Sequence, residues 1–330
     1  MELYLLRRHT FQSLYNCSYL SDTEWTRLGT PNVLFGTLVI LGGIFFSVCY
    51  VLAMLVVYRA HRFQLTGNKL LFCGSVMYFN SICTNASLTG YLSITGSMPC
   101  PNIEFLYVIR CAEEFSWGCV SVFMVMFIVY RCSELWKPRY IPEAFEGHRT
   151  YYWIAAAFLY GLVHSFFARG DFYSSYTYNW SSNLFDGIME FQFVDPSVYI
   201  SYATIVHNVG FAATIFPLYL FLTVSIWWKG ESKGGKMSKT QKMNIFVAFL
   251  LCLVTSIYAL IYAYMCLFQL SENGAQIACI IKQLGMGAPA VIHLTMNKTV
   301  NAGLLQLFKK KKVTNVTVLA DKAKTDDSSN

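Results

Sequence analysis

Seven stretches of the chain stay apolar for about 20 residues, the length at which a helix rising 1.5 Å per residue crosses about 30 Å of hydrocarbon. They run from Val33 to Tyr58, Lys69 to Leu92, Ile103 to Tyr130, Tyr151 to Ala168, Tyr199 to Trp228, Asn244 to Phe268 and Ala275 to Met296. The second is the most polar, with many Asn, Ser and Thr, and the seventh carries Lys282 and Pro289. The stretches between are short, and even the longest, Arg169 to Ser197, has fewer than thirty residues, so no separate soluble domain fits. The pattern predicts an all-α integral membrane protein, a seven-transmembrane helix bundle over residues 32–297 with an amino-terminal arm over 1–31. The opening MELYLLRRHTFQSL lacks the apolar core of a cleaved signal peptide, so the first span is expected to insert as the signal.

Composition agrees: 55% of the 330 residues are hydrophobic and 13% charged, against about 25% charged in soluble domains. Lys and Arg concentrate in cytoplasmic segments, and that rule orients the chain. With the amino terminus outside and the carboxyl terminus inside, nineteen of the twenty-five Lys and Arg residues fall inside, and only Arg7, Arg8, Arg27 and Arg169 fall outside. Arg110 and Lys282 lie within spans. The formal charge of +7 therefore describes a basic inner face, and no nucleic-acid module accompanies it.

The same orientation sorts the eleven cysteines, of which only Cys17 and Cys100 are clearly outside. A Cys17–Cys100 bridge would tie the arm to the top of the third span. Two free thiols, or Cys111 or Cys279 as partner, are the other readings. Of the sequons, Asn16-Cys17-Ser18 and Asn179-Trp180-Ser181 lie outside, and Asn179 is the better acceptor because Cys17 occupies the middle of the other. Asn85 also begins a sequon, but within a span.

Charges inside spans are costly unless they face a partner or a cavity. Arg110, Glu113 and Glu114 lie in the third span, His164 in the fourth, His207 in the fifth and Lys282 in the seventh. Arg110, Glu113, His207 and Lys282 fall at one depth, roughly 10 to 15 Å from the outer end. Arg110 and Glu114 share a helix face, while Glu113 points about 100° away and is free to meet the seventh span. Glu113 or Glu114 is expected to pair with Lys282, making a net-neutral floor for an outward-open pocket. Trp117, one turn below, and Tyr258 and Tyr262, four apart on the sixth span, are candidate aromatic walls. His164, near an outer end, is expected to be interfacial. Ordinary packing and a structural interhelix lock are the plainer alternatives for these aromatics and charges.

On the inner side, WWKGESKGGKMSKTQK joins the fifth and sixth spans with five lysines, Lys236, Lys239 and Lys242 among them. The segment 298–312 places Val300, Leu304, Leu307 and Phe308 at helical spacing ahead of Lys309, Lys310, Lys311 and Lys312, which predicts an amphipathic juxtamembrane helix on an anionic inner leaflet. Residues 313–330 lack apolar periodicity and are expected to be a disordered tail.

Several short motifs in order carry a resemblance over most of the chain. They are Tyr15-Asn16-Cys17 and Glu24-Trp25 in the arm, Gly29, Gly36 and Gly43 around the first span, GYLSITGSMPC before the third, and RCSELWKP at its end. KMSKTQKMNIFVAFLLC opens the sixth span and PAVIHLTMNKTV closes the seventh. With these the chain resembles the nematode serpentine receptor class T chemoreceptors. The resemblance implies a bundle that senses an environmental small molecule and signals to a heterotrimeric G protein from the plasma membrane of a sensory neuron's cilium. Arg131 then stands where rhodopsin-like receptors place the arginine of Asp-Arg-Tyr, but here the preceding residue is Tyr130. The Asn-Pro-x-x-Tyr of those receptors is replaced around Pro289, so its tyrosine switch is not carried over. Lys282 with Glu113 or Glu114 also matches the Schiff-base lysine and counter-ion of an opsin, and a ligand-gated channel or a transporter are further alternatives. Neither an enzyme motif nor a set of metal ligands is present, and no cofactor is expected.

Overall fold

A computed structural model describes residues 1–59, 66–136, 141–191, 193–232, 239–296, 301, 303 and 304. Its frame is seven long helices, numbered first to seventh here: Val33–Arg59, Thr66–Thr95, Ile103–Trp136, Arg149–Phe167, Tyr202–Ser232, Lys239–Met265 and Glu272–Met296. Four of them, the first, third, fifth and seventh, are long and apolar enough to cross a membrane on those grounds alone. The bundle's perimeter is apolar: Leu34, Leu38, Leu41 and Phe45 of the first helix, Leu159 and Leu162 of the fourth, and Val206 and Phe221 of the fifth are exposed. Such a surface suits hydrocarbon and would drive association in water. Polar side chains turn inward, among them Ser81, Thr89, Ser93, Ser116 and Ser121, which explains why the second span reads as polar.

Two features of the second helix escaped the sequence pattern. It widens into a π turn over Cys83–Ser87 before resuming at Leu88–Thr95, and Gly96 ends it in the left-handed conformation with φ +64°. A π turn re-aims the side chains around it, and here it turns Asn85 toward the third helix.

Glycines let the third and fourth helices approach closely. Gly118 of the third helix meets Gly161 of the fourth, and a Cβ at Gly161 would lie 2.8 Å from the Phe115 carbonyl oxygen. Gly161→Ala is therefore expected to cost about 1–3 kcal/mol. Gly210→Ala, in open space on the fifth helix, should be neutral or stabilising by up to about 1 kcal/mol. Thermal unfolding of the two variants in detergent would separate close packing from helix propensity.

The arm folds over one end of the bundle as three short helices, Glu2–Leu5, Arg8–Leu14 and Asp22–Leu28. Ser21 starts the third of these through a reciprocal capping box with Glu24. Trp25 is wholly buried, stacks on Phe191 with ring centroids 5.5 Å apart, and donates its indole N–H to the Cys17 carbonyl at 2.9 Å. Cys17 and Cys100 are joined in a disulfide that fixes the arm just ahead of the third helix.

Between the fourth and fifth helices lies a two-stranded antiparallel hairpin, β1 Phe172–Ser174 and β2 Asn179–Ser181, with Tyr173 opposite Trp180. Strands of three residues give no legible alternation, so the sequence showed only a loop. The hairpin is pinned to the second helix, Trp180 donating to Thr89 Oγ1 at 2.9 Å and the Tyr173 hydroxyl lying 2.6 Å from Ser93 Oγ. It closes the mouth beneath the arm.

Candidate functional site

Under the hairpin, Arg110, Glu113, Glu114 and Lys282 are all buried and joined. Lys282 Nζ lies 2.8 Å from Glu113 Oε1 and 4.7 Å from the centre of the Tyr262 ring. Arg110 Nη1 contacts Glu113 Oε2, and Arg110 Nη2 lies 3.1 Å from Glu114 Oε1. The expectation that Glu113 points clear of Arg110 is therefore corrected. A guanidinium fork is wide enough to reach carboxylates three and four residues on, so Glu113 bridges Arg110 and Lys282. Ser81 Oγ and Asn85 Nδ2 approach the same Glu113 oxygen at 3.4 Å each.

Two further partners were not assigned to the cluster from the sequence. Asp171, on the loop just before β1, places Oδ2 2.9 Å from Arg110 Nη2. His164 is buried, with Nε2 3.0 Å from Glu114 Oε2, because the fourth helix packs this face onto the third. It is not the interfacial histidine that its position suggested. Its ring stacks on His207 at 4.1 Å.

A cavity of about 20 Å³, room for a water or so, lies beside the cluster and is lined by seven of the expected pocket residues, Arg110, Glu113, Glu114, Trp117, Tyr258, Tyr262 and Lys282. His207 is the exception. Its ring nitrogens lie 3.2 Å from Ser121 Oγ and 2.7 Å from the Tyr160 hydroxyl, and it lines a separate cleft between the third, fourth and fifth helices. Trp117 instead reaches the fifth helix through Asn208, donating to Oδ1 at 2.9 Å, and its ring lies 4.8 Å from Tyr258. The expected outward-open pocket is closed in this structure, since Asp171, Trp180, Ser181 and Ser182 of the covering loop form its roof. Arg110 Nε and the Tyr258 hydroxyl are buried with no hydrogen-bond partner among the described residues.

Arg110 and Lys282 face three carboxylates, Glu113, Glu114 and Asp171, and His164 lies against Glu114. Burial, and behind it the neighbouring Glu114, raise Asp171 from its ordinary 3.8 to about 6 against the pull of Arg110. With its folded value above its unfolded one, this carboxyl's contribution to stability is complete below about pH 3.8 and is lost as the pH rises through about 6. Asp171→Asn is accordingly expected to hold or raise the thermal midpoint at neutral pH and to flatten its dependence on pH between about 4 and about 7, read by thermal unfolding in detergent.

At the opposite end a larger apolar cavity of about 640 Å³ opens between the second, third, fifth and seventh helices, and it shares no lining residue with the first. Arg131, Glu134, His293 and Pro289 border it. Arg131 Nη1 lies 2.9 Å from Glu134 Oε2, and the Tyr130 hydroxyl donates to Glu134 Oε1 at 2.6 Å. The acid missing before Arg131 is thus supplied one helical turn later. Tyr50 and Tyr78, which line this cavity and stack at 5.6 Å, and Met286, whose carbonyl accepts from the Tyr50 hydroxyl at 2.5 Å, tie the first, second and seventh helices together.

The family model described as "Serpentine type 7TM GPCR chemoreceptor Srt" matches residues 1–317. The chain belongs to this family. Serpentine receptor class T-55 of Caenorhabditis elegans is 21% identical to it over 314 residues, covering 94% of the chain and 84% of that relative. The seven helices are accordingly the seven transmembrane helices of an Srt chemoreceptor, a multi-pass membrane protein. Of the other expected site residues in this Srt receptor, Asn16 is partly buried beside Cys17 and accepts from the Ser18 amide at 3.0 Å. Asn179 begins β2, and Lys239 and Lys242 lie in the first turn of the sixth helix. Lys236, Lys309 to Lys312 and the tail 313–330 lie outside the described residues, as does most of the segment 298–312.

Proposed function

We propose that this receptor binds an environmental small molecule at the buried charge cluster and signals to a heterotrimeric G protein at the opposite end. The observation that carries the reading is the pair of separate cavities, a charged one roofed by the loop and an apolar one bordered by Arg131. In this reading the amino terminus faces outward, where the Cys17–Cys100 disulfide, Asn179 and Asn16 meet an oxidising, glycosylating compartment. The lysine-rich end faces the cytoplasm. Arg131, with Lys236, Lys239 and Lys242, meets the G protein, while Lys309 to Lys312 hold the juxtamembrane segment 298–312 on anionic lipid. Residues 32–297 are the bundle, and the arm 1–31 with the hairpin is its outer cover. The plasma membrane of a sensory cilium is the compartment in which such a receptor would act.

An opsin-like use of Lys282 is disfavoured, because the cavity beside it is too small for a polyene. A channel or transporter is disfavoured, because the two cavities share no lining residue. Screening candidate odorants in cells that express the receptor with a promiscuous Gα tests the proposal. A compound that raises second messenger only in receptor-expressing cells is the expected result, and agonist-gated current in the absence of G protein would replace the reading with a channel.

A further inference from the structure

We infer that the charged cavity takes a small organic carboxylate, and that the Asp171 side chain occupies on Arg110 the place of the ligand's own carboxylate. This rests on the ligand-site reading above and adds the chemical class. Three carboxylates surround Arg110, but they are held differently. Glu113 and Glu114 stand on the same helix as Arg110 and have second partners, Lys282 and His164. Asp171 comes from the covering loop, and Arg110 is its sole ion-pair partner among the described residues.

The unused hydrogen-bonding groups point the same way. Arg110 Nε and the Tyr258 hydroxyl are fully buried with no partner among the described residues, both residues line the cavity, and both groups can donate to an acceptor. Nε and Nη2 lie along one edge of the guanidinium, the edge that takes a carboxylate bidentately. Asp171 uses only Nη2 of that edge. An incoming carboxylate can take both nitrogens, with Tyr258 as a third donor, while Met265, Cys266 and Tyr262 offer surface to an apolar chain.

Exchange of one carboxylate for another leaves the cluster's charge unchanged, so no new charge is buried. Withdrawal of the Asp171 side chain makes room beside Arg110 for the ligand's carboxylate head, since the cavity of about 20 Å³ holds no more than a water or so while that side chain is in place. Because Asp171 is raised to about 6, its ionised form is held at a cost at neutral pH and gives way readily. The groups that act on it or feel its charge are Arg110 and Glu114 of the third helix, Lys282 of the seventh, Tyr262 of the sixth, Cys266 just past its end, and Tyr15 of the arm.

The test is binding to the full chain in detergent, read from ligand-dependent thermal midpoints with no G protein present. The probes are propanoate and hexanoate, each against the alcohol of the same chain length. Both acids should bind more tightly than their alcohols. Asp171→Asn should tighten hexanoate about tenfold at pH about 7.5 and leave hexanol unchanged. Acidifying the parent from about 7.5 to about 5.5 should tighten hexanoate by about the same factor, an effect absent from the variant. The acidification arm needs no variant and stands if Asp171→Asn fails to fold. Equal affinity for acid and alcohol, or hexanoate binding indifferent both to Asp171→Asn and to acid, overturns the inference. Hexanoate binding without signalling would sink the receptor reading and leave this one standing. Odorant signalling without any preference for carboxylates would do the reverse.

Discussion

Replacing Lys282 with Met should lower the thermal midpoint and abolish the agonist response, and adding Glu113→Gln should restore the first without the second. The single change removes a cation that is 2.8 Å from Glu113 and leaves Arg110 as the one Lys or Arg among the described residues that faces Glu113, Glu114 and Asp171. Breaking a buried ion pair typically costs about 3–5 kcal/mol, because the remaining partner is left charged and uncompensated. Glu113 keeps Arg110, so the lower end of that range is expected. Neutralising Glu113 as well removes the orphaned charge and should recover most of the loss. If the pair only locks the third and seventh helices together, the double variant should signal again once it is stable. If the pair belongs to the binding site, the response stays lost at normal surface abundance.

Arg131→Ala should reduce coupling at least about tenfold while leaving agonist binding unchanged, and Glu134→Gln should raise basal signalling. The Arg131–Glu134 pair is nearly half exposed, so its contribution to stability is under about 1 kcal/mol. Its importance in this account is positional. Glu134 holds the guanidinium beside the mouth of the 640 Å³ cavity, in competition with any partner entering there. Removing the acid frees the cation, whereas removing the cation takes away the contact. Ligand binding to membranes, compared with second-messenger output at matched surface expression, separates the two effects. Parallel loss of binding and signalling in Arg131→Ala would mean that the residue supports the fold instead.

The bundle and half of the site were legible in the sequence for a physical reason. Hydrocarbon admits few charges, so apolar run length marked the helices and every ionisable residue within a run was already suspect. Arg110, Glu113, Glu114 and Lys282 were found on that ground. Asp171 lies outside the runs, where an aspartate is unremarked, and only folding of the hairpin carries it onto Arg110. His164 was misplaced because depth along a helix does not say which face packs inward. His207 lies at the expected depth, but Trp117 and His164 stand around it and it lines another cleft. Glu134 was passed over because the acid was sought before Arg131, whereas a helix also brings together residues three apart. The π turn at Cys83–Ser87 leaves no compositional mark, and with it the approach of Asn85 to Glu113 was out of reach.

The most direct test of the account is an odorant response measured in cells lacking endogenous G proteins, with and without an added Gα. Second messenger that appears only when receptor, agonist and Gα are all present, and that disappears in the Glu113→Gln, Lys282→Met double variant at normal surface abundance, is the predicted result. An agonist-evoked current that persists without any G protein would contradict it.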